Sequence, residues 1–197
     1  PVFLDAGGTV NDQPAVAVAG SVVYVGWQSN AGGTRAIYAA PVAPSGVGAI
    51  VRLSSARWHS QNPALVSVGD SELFAAWDSI RGDSADIHGA RFCDGAWQAE
   101  RRLTRDQRIE RHASLATCDG AVWMAWQAQS YPGRLVNRLE EQRIVVARLD
   151  DDGPQTPAGG METLSSAQDR LVRPRIVFDR AGRLWLSYRR SLGGQHG

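Results

Sequence analysis

The sequence contains no lysine, so all 21 basic residues are arginines. Within these 197 residues this absence excludes Schiff-base chemistry and a lysine general base. Two cysteines, Cys93 and Cys118, are too few for a disulfide scaffold, and no spacing of Cys and His predicts a metal site. The net charge of +1 gives no general attraction to nucleic acid, and no apolar run is long enough to span a membrane. We therefore predict no metal, no cofactor and no nucleic-acid partner.

What the sequence does contain is a repeat. Each unit opens with an apolar segment and continues, after a turn, with a second apolar segment that ends in an aromatic residue. These aromatic residues are Trp27, Trp77, Trp126 and Tyr188. They recur after 50, 49 and 62 positions, the last interval being longer because residues 131–141 enlarge one loop. A leucine lies ten positions before the start of each unit, at Leu4, Leu53, Leu103 and Leu164. Such constant spacing is typical of a repeat architecture.

The second unit shows how many strands each repeat contains. Apolar and β-branched residues predict strands over 64–68, 73–77, 86–92 and 97–103, with a polar loop over 78–85. The Asp94-Gly95 pair between the last two strands is a strong hairpin signal. We predict an all-β fold, a β-propeller of four-stranded antiparallel blades, in which each sheet stacks on its neighbours because it cannot bury both faces alone.

The repeat also predicts the domain organisation, a single β-propeller segment over residues 1–197. We expect whole blades over 12–54, 62–104 and 112–165, a partial blade over 173–197, and the last strand of a preceding blade over 1–5. Because the fourth unit lacks its third strand, we expect a partial array of about three whole blades plus parts of two. The remaining blades of the ring would then lie outside this chain. A four-bladed ring closed by the N-terminal strand is the alternative.

One rim of the predicted propeller has the longer and more polar loops, and function usually lies on such loops. Four equivalent residues directly precede the first strands of the units, namely Gln13, Asn62, His112 and Arg173. Because the first strand of a blade is innermost, we expect them to ring the mouth of the central channel and to form a small-ligand site there. The alternative is that they cap strand ends and contact water.

The loops of the same rim supply further candidate ligand-binding residues, which are Trp58, His59, Asp78, Arg81, Asp106, Arg108, Glu110 and Arg111. Trp58 either stacks on a sugar ring or a partner, or covers a blade junction. The acidic residues are either acid–base carboxylates or solvated partners of arginines. The arginines either converge on a carboxylate or phosphate or are scattered surface charges. No catalytic residue can be assigned from these patterns.

The second unit also carries a recognisable pattern, which comprises Pro63, Leu65, Ala76-Trp77-Asp78-Ser79, Asp86-Ile87, Ala90-Arg91-Phe92 and Arg102-Leu103-Thr104. In this pattern the chain resembles the blades of bacterial sialidase-like or BNR-type propellers, which occur in secreted and surface proteins. Sialidases carry Asp-boxes of the form S-x-D-x-G-x-x-W, whereas the run from Asp179 to Trp185 has an extra residue between Asp and Gly. The Arg-Ile-Pro motif of sialidases is absent. The resemblance therefore implies the fold and not sialidase activity.

Two functions remain open. The first is a binding or interaction scaffold that recognises a glycan or another protein domain, within a larger secreted or envelope bacterial protein in an extracellular or periplasmic location. The second is a sialidase-like glycan-active hydrolase or lyase with its site at the channel mouth. Two carboxylates about 5–10 Å apart at the mouth would favour the enzyme. An apolar patch on one rim, without converging carboxylates, would favour the scaffold.

Overall fold

The computed structural model describes residues 3–105, 108–130, 141–150, 153–155, 162–165 and 169–192. These residues form three five-stranded sheets and one two-stranded sheet, which follow one another along the chain. All strand pairs are antiparallel. A short 3-10 turn, Ala31–Gly33, lies in a loop of the first sheet. No helix in the described part of the chain has the length and apolar character needed to cross a membrane.

The strands of each sheet are consecutive in the sequence. The first sheet consists of β1 (Asn11–Ala19), β2 (Val22–Ser29), β3 (Ala36–Ala43), β4 (Gly46–Val47) and β5 (Val51–Arg52). The second consists of β6 (His59–Val68), β7 (Glu72–Arg81), β8 (Ser84–Cys93), β9 (Ala96–Trp97) and β10 (Arg101–Arg102). The third consists of β11 (Ile109–Cys118), β12 (Ala121–Ser130), β13 (Glu141–Asp150), β14 (Gly153–Gln155) and β15 (Glu162–Ser165). The fourth consists of β16 (Asp169–Phe178) and β17 (Leu184–Leu192).

In each five-stranded sheet the outermost strand is interrupted. Both β9 and β10 pair with β8, so the strand expected over 97–103 is two short pieces of one edge strand. The same holds for the pairs β4 and β5, and β14 and β15. The hairpin predicted at Asp94-Gly95 is confirmed, since φ is 52° at Asp94 and 77° at Gly95. A type I′ turn needs positive φ at both positions.

The loop predicted over 78–85 is wrong, because β7 continues to Arg81 and β8 starts at Ser84. Asp78 pairs with Ile87 in the strand ladder, and its side chain is fully buried. Ser79 is likewise buried. Polar residues read as a loop when they are assumed to face water, but here both are buried, and Asp78 is hydrogen-bonded to the third sheet.

The core lies between successive sheets. Trp77 is buried and packs against Ile37 and Ala39 of the preceding sheet. Trp126 occupies the same position one sheet later and packs near Ile87 of the second sheet. Trp77 and Trp126 therefore pack between successive sheets. The approach is close, since a Cβ added at Gly26 would lie 2.7 Å from Leu65 Cδ1 of the next sheet.

None of the described residues covers the outward faces of the first and fourth sheets. Strand β1 alternates between buried and exposed residues, and Val16 on its uncovered face is 60% exposed. On the fourth sheet Val177 and Trp185 are each 59% exposed. The described residues that precede β1 form no strand, and Leu4 packs against the Trp27 cluster of the first sheet.

The turn between β16 and β17 contains the run that loosely resembles an Asp-box. The Asp179 carboxylate accepts hydrogen bonds from the backbone N–H groups of Ala181 (2.9 Å) and Arg183 (3.0 Å). It also accepts one from the indole Nε1 of Trp185 at 2.9 Å. These bonds, the indole bond first, lower the pKa of Asp179 to about 2. Asp179 therefore fixes this turn.

Replacing Trp77 by alanine should destabilise the protein far more than the same replacement at Trp185. Trp77 is buried between two sheets, so its loss leaves a cavity and should lower the free energy of unfolding by about 3–5 kcal/mol. Trp185 is mostly exposed, so Trp185→Ala should cost about 1 kcal/mol or less. Urea unfolding of both variants measures the difference. Equal losses would contradict the stacked-sheet core.

Candidate functional site

A β-bulge interrupts the first strand of every sheet at the same point. The register of β1 with β2 shifts between Asp12 and Ala15, and equivalent shifts occur in the other three sheets. The first residue of each bulge has a left-handed backbone, with φ of 54°, 55°, 58° and 54° at Gln13, Asn62, His112 and Arg173. The four predicted residues therefore lie inside the strands and not just before them. Proline follows in three of the four sheets, where a residue without an N–H needs no ladder partner.

This conformation is unfavourable for residues other than glycine. The left-handed region costs a non-glycine residue roughly 1–2 kcal/mol because Cβ approaches a carbonyl oxygen. The same cost recurs in four sheets at one structural position, so the surrounding fold must hold these residues in the left-handed conformation. Backbone strain of this kind clusters at binding sites and switches, which makes the four bulges the first place to look for function.

A side chain from the preceding sheet holds the bulge backbone in the second and third sheets. Gln28 Oε1 accepts a hydrogen bond from the Asn62 backbone N–H at 3.0 Å. One sheet later, Asp78 Oδ1 accepts one from the His112 backbone N–H at 2.8 Å. Gln28 and Asp78 both directly follow the tryptophan of their own sheet. The residue after that tryptophan thus positions a bulge in the next sheet.

The four bulge residues line one cavity of about 250 Å³, which we call the axial cavity. It lies between the first strands of the four sheets. Its described lining consists of Gln13, Pro14, Ala15, Asn62, Pro63, Ala64, Leu65, His112, Ala113, Ser114, Leu115, Arg173 and Arg175. Proline and leucine side chains give the cavity apolar surface beside its amide, imidazole and guanidinium groups.

The axial cavity is positively charged. Arg173 and Arg175 contribute guanidinium groups, and none of the described lining residues is Asp or Glu. Burial and then the charges of Arg173, Arg111 and Arg175 lower the pKa of His112 to about 4. The imidazole is therefore neutral at pH 7. The cavity offers donors to a ligand from its cations and both a donor and an acceptor from its neutral ring.

Asp78 lies behind the cavity wall and is fully buried. Its Oδ2 accepts a hydrogen bond from the Asn62 side-chain Nδ2 at 2.6 Å, while Oδ1 is bound to the His112 backbone. Burial raises the pKa of Asp78 to about 7, against the smaller opposing effects of these bonds and of the Arg111 charge. The carboxyl group is therefore poised to gain or lose a proton near neutral pH.

Trp58 and Arg81 lie together, away from the cavity lining. The guanidinium carbons of Arg57 and Arg81 lie 4.8 Å and 5.6 Å from the Trp58 ring centroid. Arg81 Nη2 is also 3.5 Å from Glu100 Oε1. Stacking between two arginines occupies the indole face that a sugar would need, so the geometry favours a role for Trp58 in covering a junction.

The other described candidates from the rim loops do not line the cavity either. His59 is exposed, and its Nδ1 accepts a hydrogen bond from the Arg35 backbone N–H at 3.3 Å. Glu110 is buried and accepts a bond from Trp126 Nε1 at 2.7 Å. Arg108 and Arg111 are half-buried at the start of the third sheet, and the charge of Arg111 acts on both Asp78 and His112. Asp106 lies outside the described residues.

Sequence reasoning missed two polar residues of the lining, Ser114 and Arg175. Both lie two positions after the bulge residue, where an apolar strand residue was expected. Ser114 Oγ accepts a hydrogen bond from the Ile176 backbone N–H of the fourth sheet at 3.1 Å. The repeat alignment could have identified both residues, because it places them at the same position as Ala15 and Ala64, which also line the cavity.

A metal centre finds no support in the described part of the chain. No group of three or more His, Cys, Asp or Glu residues there could hold an ion. Cys93 and Cys118 are half-buried free thiols.

The chain matches no family model and no curated protein. It is similar in structure to an endo-arabinase from Bacteroides thetaiotaomicron, with a TM-score of 0.62, 16% identity, and 94% of this chain and 74% of that chain covered. It is also similar to an α-L-arabinanase from Cellvibrio cellulosa, with a TM-score of 0.52, 12% identity, and 93% and 69% covered. A third is a subtype N10 neuraminidase-like protein of a little yellow-shouldered bat strain, with a TM-score of 0.50, 8% identity, and 92% and 78% covered.

The fold is a β-propeller. At these identities the likeness shows the fold alone, and each sheet described above corresponds to all or part of a blade. No family model supports the finer resemblance to the sialidase or BNR type.

Replacing Asp78 by asparagine should remove a pH dependence of stability. The unfolded carboxyl has its ordinary pKa of 3.8 and the folded one about 7, so the folded state binds more protons between these values. The free energy of unfolding of the native protein should therefore fall with rising pH, by roughly 2–3 kcal/mol between about pH 5 and about pH 8 relative to Asp78→Asn.

Urea unfolding at several pH values measures this effect, and Asp179→Asn is the matched control. The pKa of Asp179 is lowered to about 2, so its contribution is complete above 3.8 and is lost only as the pH falls towards 2. The difference between this variant and the native protein should be constant from about pH 5 to about pH 8. A constant difference between the native protein and Asp78→Asn over the same range would show that the pKa of Asp78 is not raised.

Proposed function

We propose that the chain is a glycan-binding β-propeller scaffold and that the axial cavity is its ligand site. The observation that carries this proposal is the convergence of Gln13, Asn62, His112 and Arg173 on one cavity, each at a strained bulge of a different blade. A fold that repeatedly maintains an unfavourable backbone around a polar cavity gives those side chains fixed positions. Fixed polar groups above apolar surface are what a small-ligand site requires.

The chemistry of the cavity suits a sugar unit. Its volume of about 250 Å³ is slightly below the roughly 300–1,000 Å³ of sites for drug-sized ligands. Amide and imidazole groups can exchange hydrogen bonds with hydroxyls, and Pro14, Pro63 and Leu65 can contact an apolar ring face. Arg173 and Arg175 favour a sugar that carries an acidic group, since a guanidinium binds a carboxylate through paired hydrogen bonds.

A glycan-active hydrolase is the second candidate. Two of the structurally similar proteins are described as an arabinase and an arabinanase, and a pKa of about 7 at Asp78 suits acid–base catalysis. Against it, both oxygens of Asp78 are already bound by Asn62 and His112, and no described lining residue supplies a carboxylate. The binding scaffold therefore fits the described cavity better.

The resemblance of the blades to those of secreted and surface proteins extends the proposal to cellular context. We place the chain within a larger secreted or envelope bacterial protein, in an extracellular or periplasmic location. A glycan or another protein domain would be its partner there.

An array of neutral and acidic oligosaccharides tests the proposed function. We expect retention of at least one acidic member, and Arg175→Ala should weaken it about tenfold or more, because a guanidinium of the lining is lost. Arg180→Ala is the matched control, since Arg180 is exposed in the β16–β17 turn and does not line the cavity. Binding that is equally weakened by both variants would contradict the site. Release of shortened sugars from a retained oligosaccharide would favour the hydrolase.

A further inference from the structure

Asp78 does a task that the first blade assigns to a neutral residue. In the first blade Gln28 supplies the acceptor for the bulge N–H of the next blade, and Asp78 supplies it in the second. An amide carbonyl therefore suffices for this bond. Burying an ionisable group costs free energy that an amide does not cost. A carboxyl group at this position calls for a second reason.

The second oxygen of Asp78 supplies that reason. Its Oδ2 lies 2.6 Å from the side-chain Nδ2 of Asn62, a residue of the cavity lining. An ionised carboxylate only accepts hydrogen bonds, so it requires the NH₂ side of the Asn62 amide. The carbonyl Oδ1 of Asn62 is then the group that remains for a ligand. In this state Asn62 offers the cavity an acceptor.

A proton on Asp78 reverses this arrangement. Oδ1 of Asp78 must still accept the His112 N–H, so the proton belongs on Oδ2. That O–H donates a hydrogen bond and requires the carbonyl side of the Asn62 amide. The amide group turns over without changing its shape, and its NH₂ becomes the group that remains for a ligand.

We propose that Asp78 is a positioning residue whose protonation state decides whether Asn62 offers the axial cavity an acceptor or a donor. The cavity therefore prefers different hydrogen-bonding patterns in its ligand on the two sides of the Asp78 titration. This inference rests on the proposed function, because it assumes that a ligand occupies the cavity.

The surroundings of Asp78 place the change near neutral pH. Burial raises its pKa to about 7, and Arg111 on β11 is the cation that acts against this. Ile87 of β8 lies opposite in the ladder, and the neighbouring Asp86 is bound to Arg102 at 2.7 Å. His112, with a pKa of about 4, stays neutral throughout this range.

NMR of the whole chain tests the switch without a ligand. We expect the Asp78 carboxyl carbon and the Asn62 side-chain nitrogen to titrate with one shared midpoint near pH 7. In Asp78→Asn the carbonyl at position 78 must accept the His112 N–H, so its NH₂ faces Asn62 and holds it in the low-pH orientation. The Asn62 signals of this variant should be independent of pH and match those of the native protein at low pH.

Asp86→Asn is the matched control, because it removes a buried carboxyl that contacts Arg102 and not Asn62. It should leave the shared titration unchanged. Titration of Asp78 without movement of the Asn62 signals would overturn the proposal. So would Asn62 signals in Asp78→Asn that match the native protein at high pH.

Glycan binding tests the consequence for specificity. Three glycan classes would be compared at about pH 5.5 and about pH 8.5, namely oligogalacturonides, arabino-oligosaccharides and β-1,2-linked manno-oligosaccharides. Between these two pH values the protonation state of Asp78 should change while that of His112 should not. We expect the affinity ratio of at least two members to change about threefold or more in the native protein and to stay constant in Asp78→Asn.

Asn62→Gly provides a second variant, because glycine accepts the left-handed backbone of this position. It should lose the pH-dependent affinity ratio while Asp78 still titrates. An unchanged ratio in the native protein, alongside a titrating Asn62, would overturn the role in specificity. If none of the three glycan classes binds at either pH, the proposed function fails, and the Asn62 titration alone decides the switch.

Discussion

A backbone N–H that leaves the strand ladder at a β-bulge needs another acceptor, and at two bulges of this propeller the preceding blade supplies it. Gln28 binds the N–H of Asn62, and Asp78 binds that of His112. A buried donor without a partner would cost about 1–3 kcal/mol, on top of the strain of a left-handed residue. The stacking of Trp77 and Trp126 between blades brings these acceptors into range. The shape of the cavity wall therefore depends on contacts between blades rather than within them.

The repeat in the sequence predicted most of the fold because its period reflects the need of each sheet to bury apolar surface against a neighbouring sheet. The second and third sheets each bury a tryptophan against the preceding sheet, and Trp77 and Trp126 mark that contact directly. Strand ends were less predictable. Asp78 and Ser79 read as a loop because polar residues normally face water, yet they continue β7 and are buried. The partners of Asp78 are distant along the chain, since Asn62 lies 16 positions before it in the same sheet and His112 lies 34 positions after it in the next, so local patterns do not reveal them.

The candidate site was predictable in the same uneven way. Aligning the units placed Gln13, Asn62, His112 and Arg173 at one structural position, and the structure brings these four together on one cavity. The bulge itself had no clear signal beyond the prolines that follow three of them. Rim-loop residues such as Trp58 and Glu110 looked equally suitable for a ligand. In the structure Arg81 stacks on Trp58, and Trp126 donates a hydrogen bond to Glu110. These contacts join residues that are distant in the sequence, so the repeat spacing does not predict them.

The anchoring of the second and third bulges by the preceding blade has a consequence for how such a protein can change. The unit that must stay intact is not one sheet but the stretch from the second strand of a blade to the first strand of the next, such as residues 72–118. Recombination at sheet boundaries would join a bulge to a foreign acceptor and loosen the cavity wall. A duplication of the offset stretch would instead copy a cavity residue together with the group that holds it. Evolution or engineering of new specificities is therefore simplest when the unit exchanged runs from the second strand of one blade to the first strand of the next.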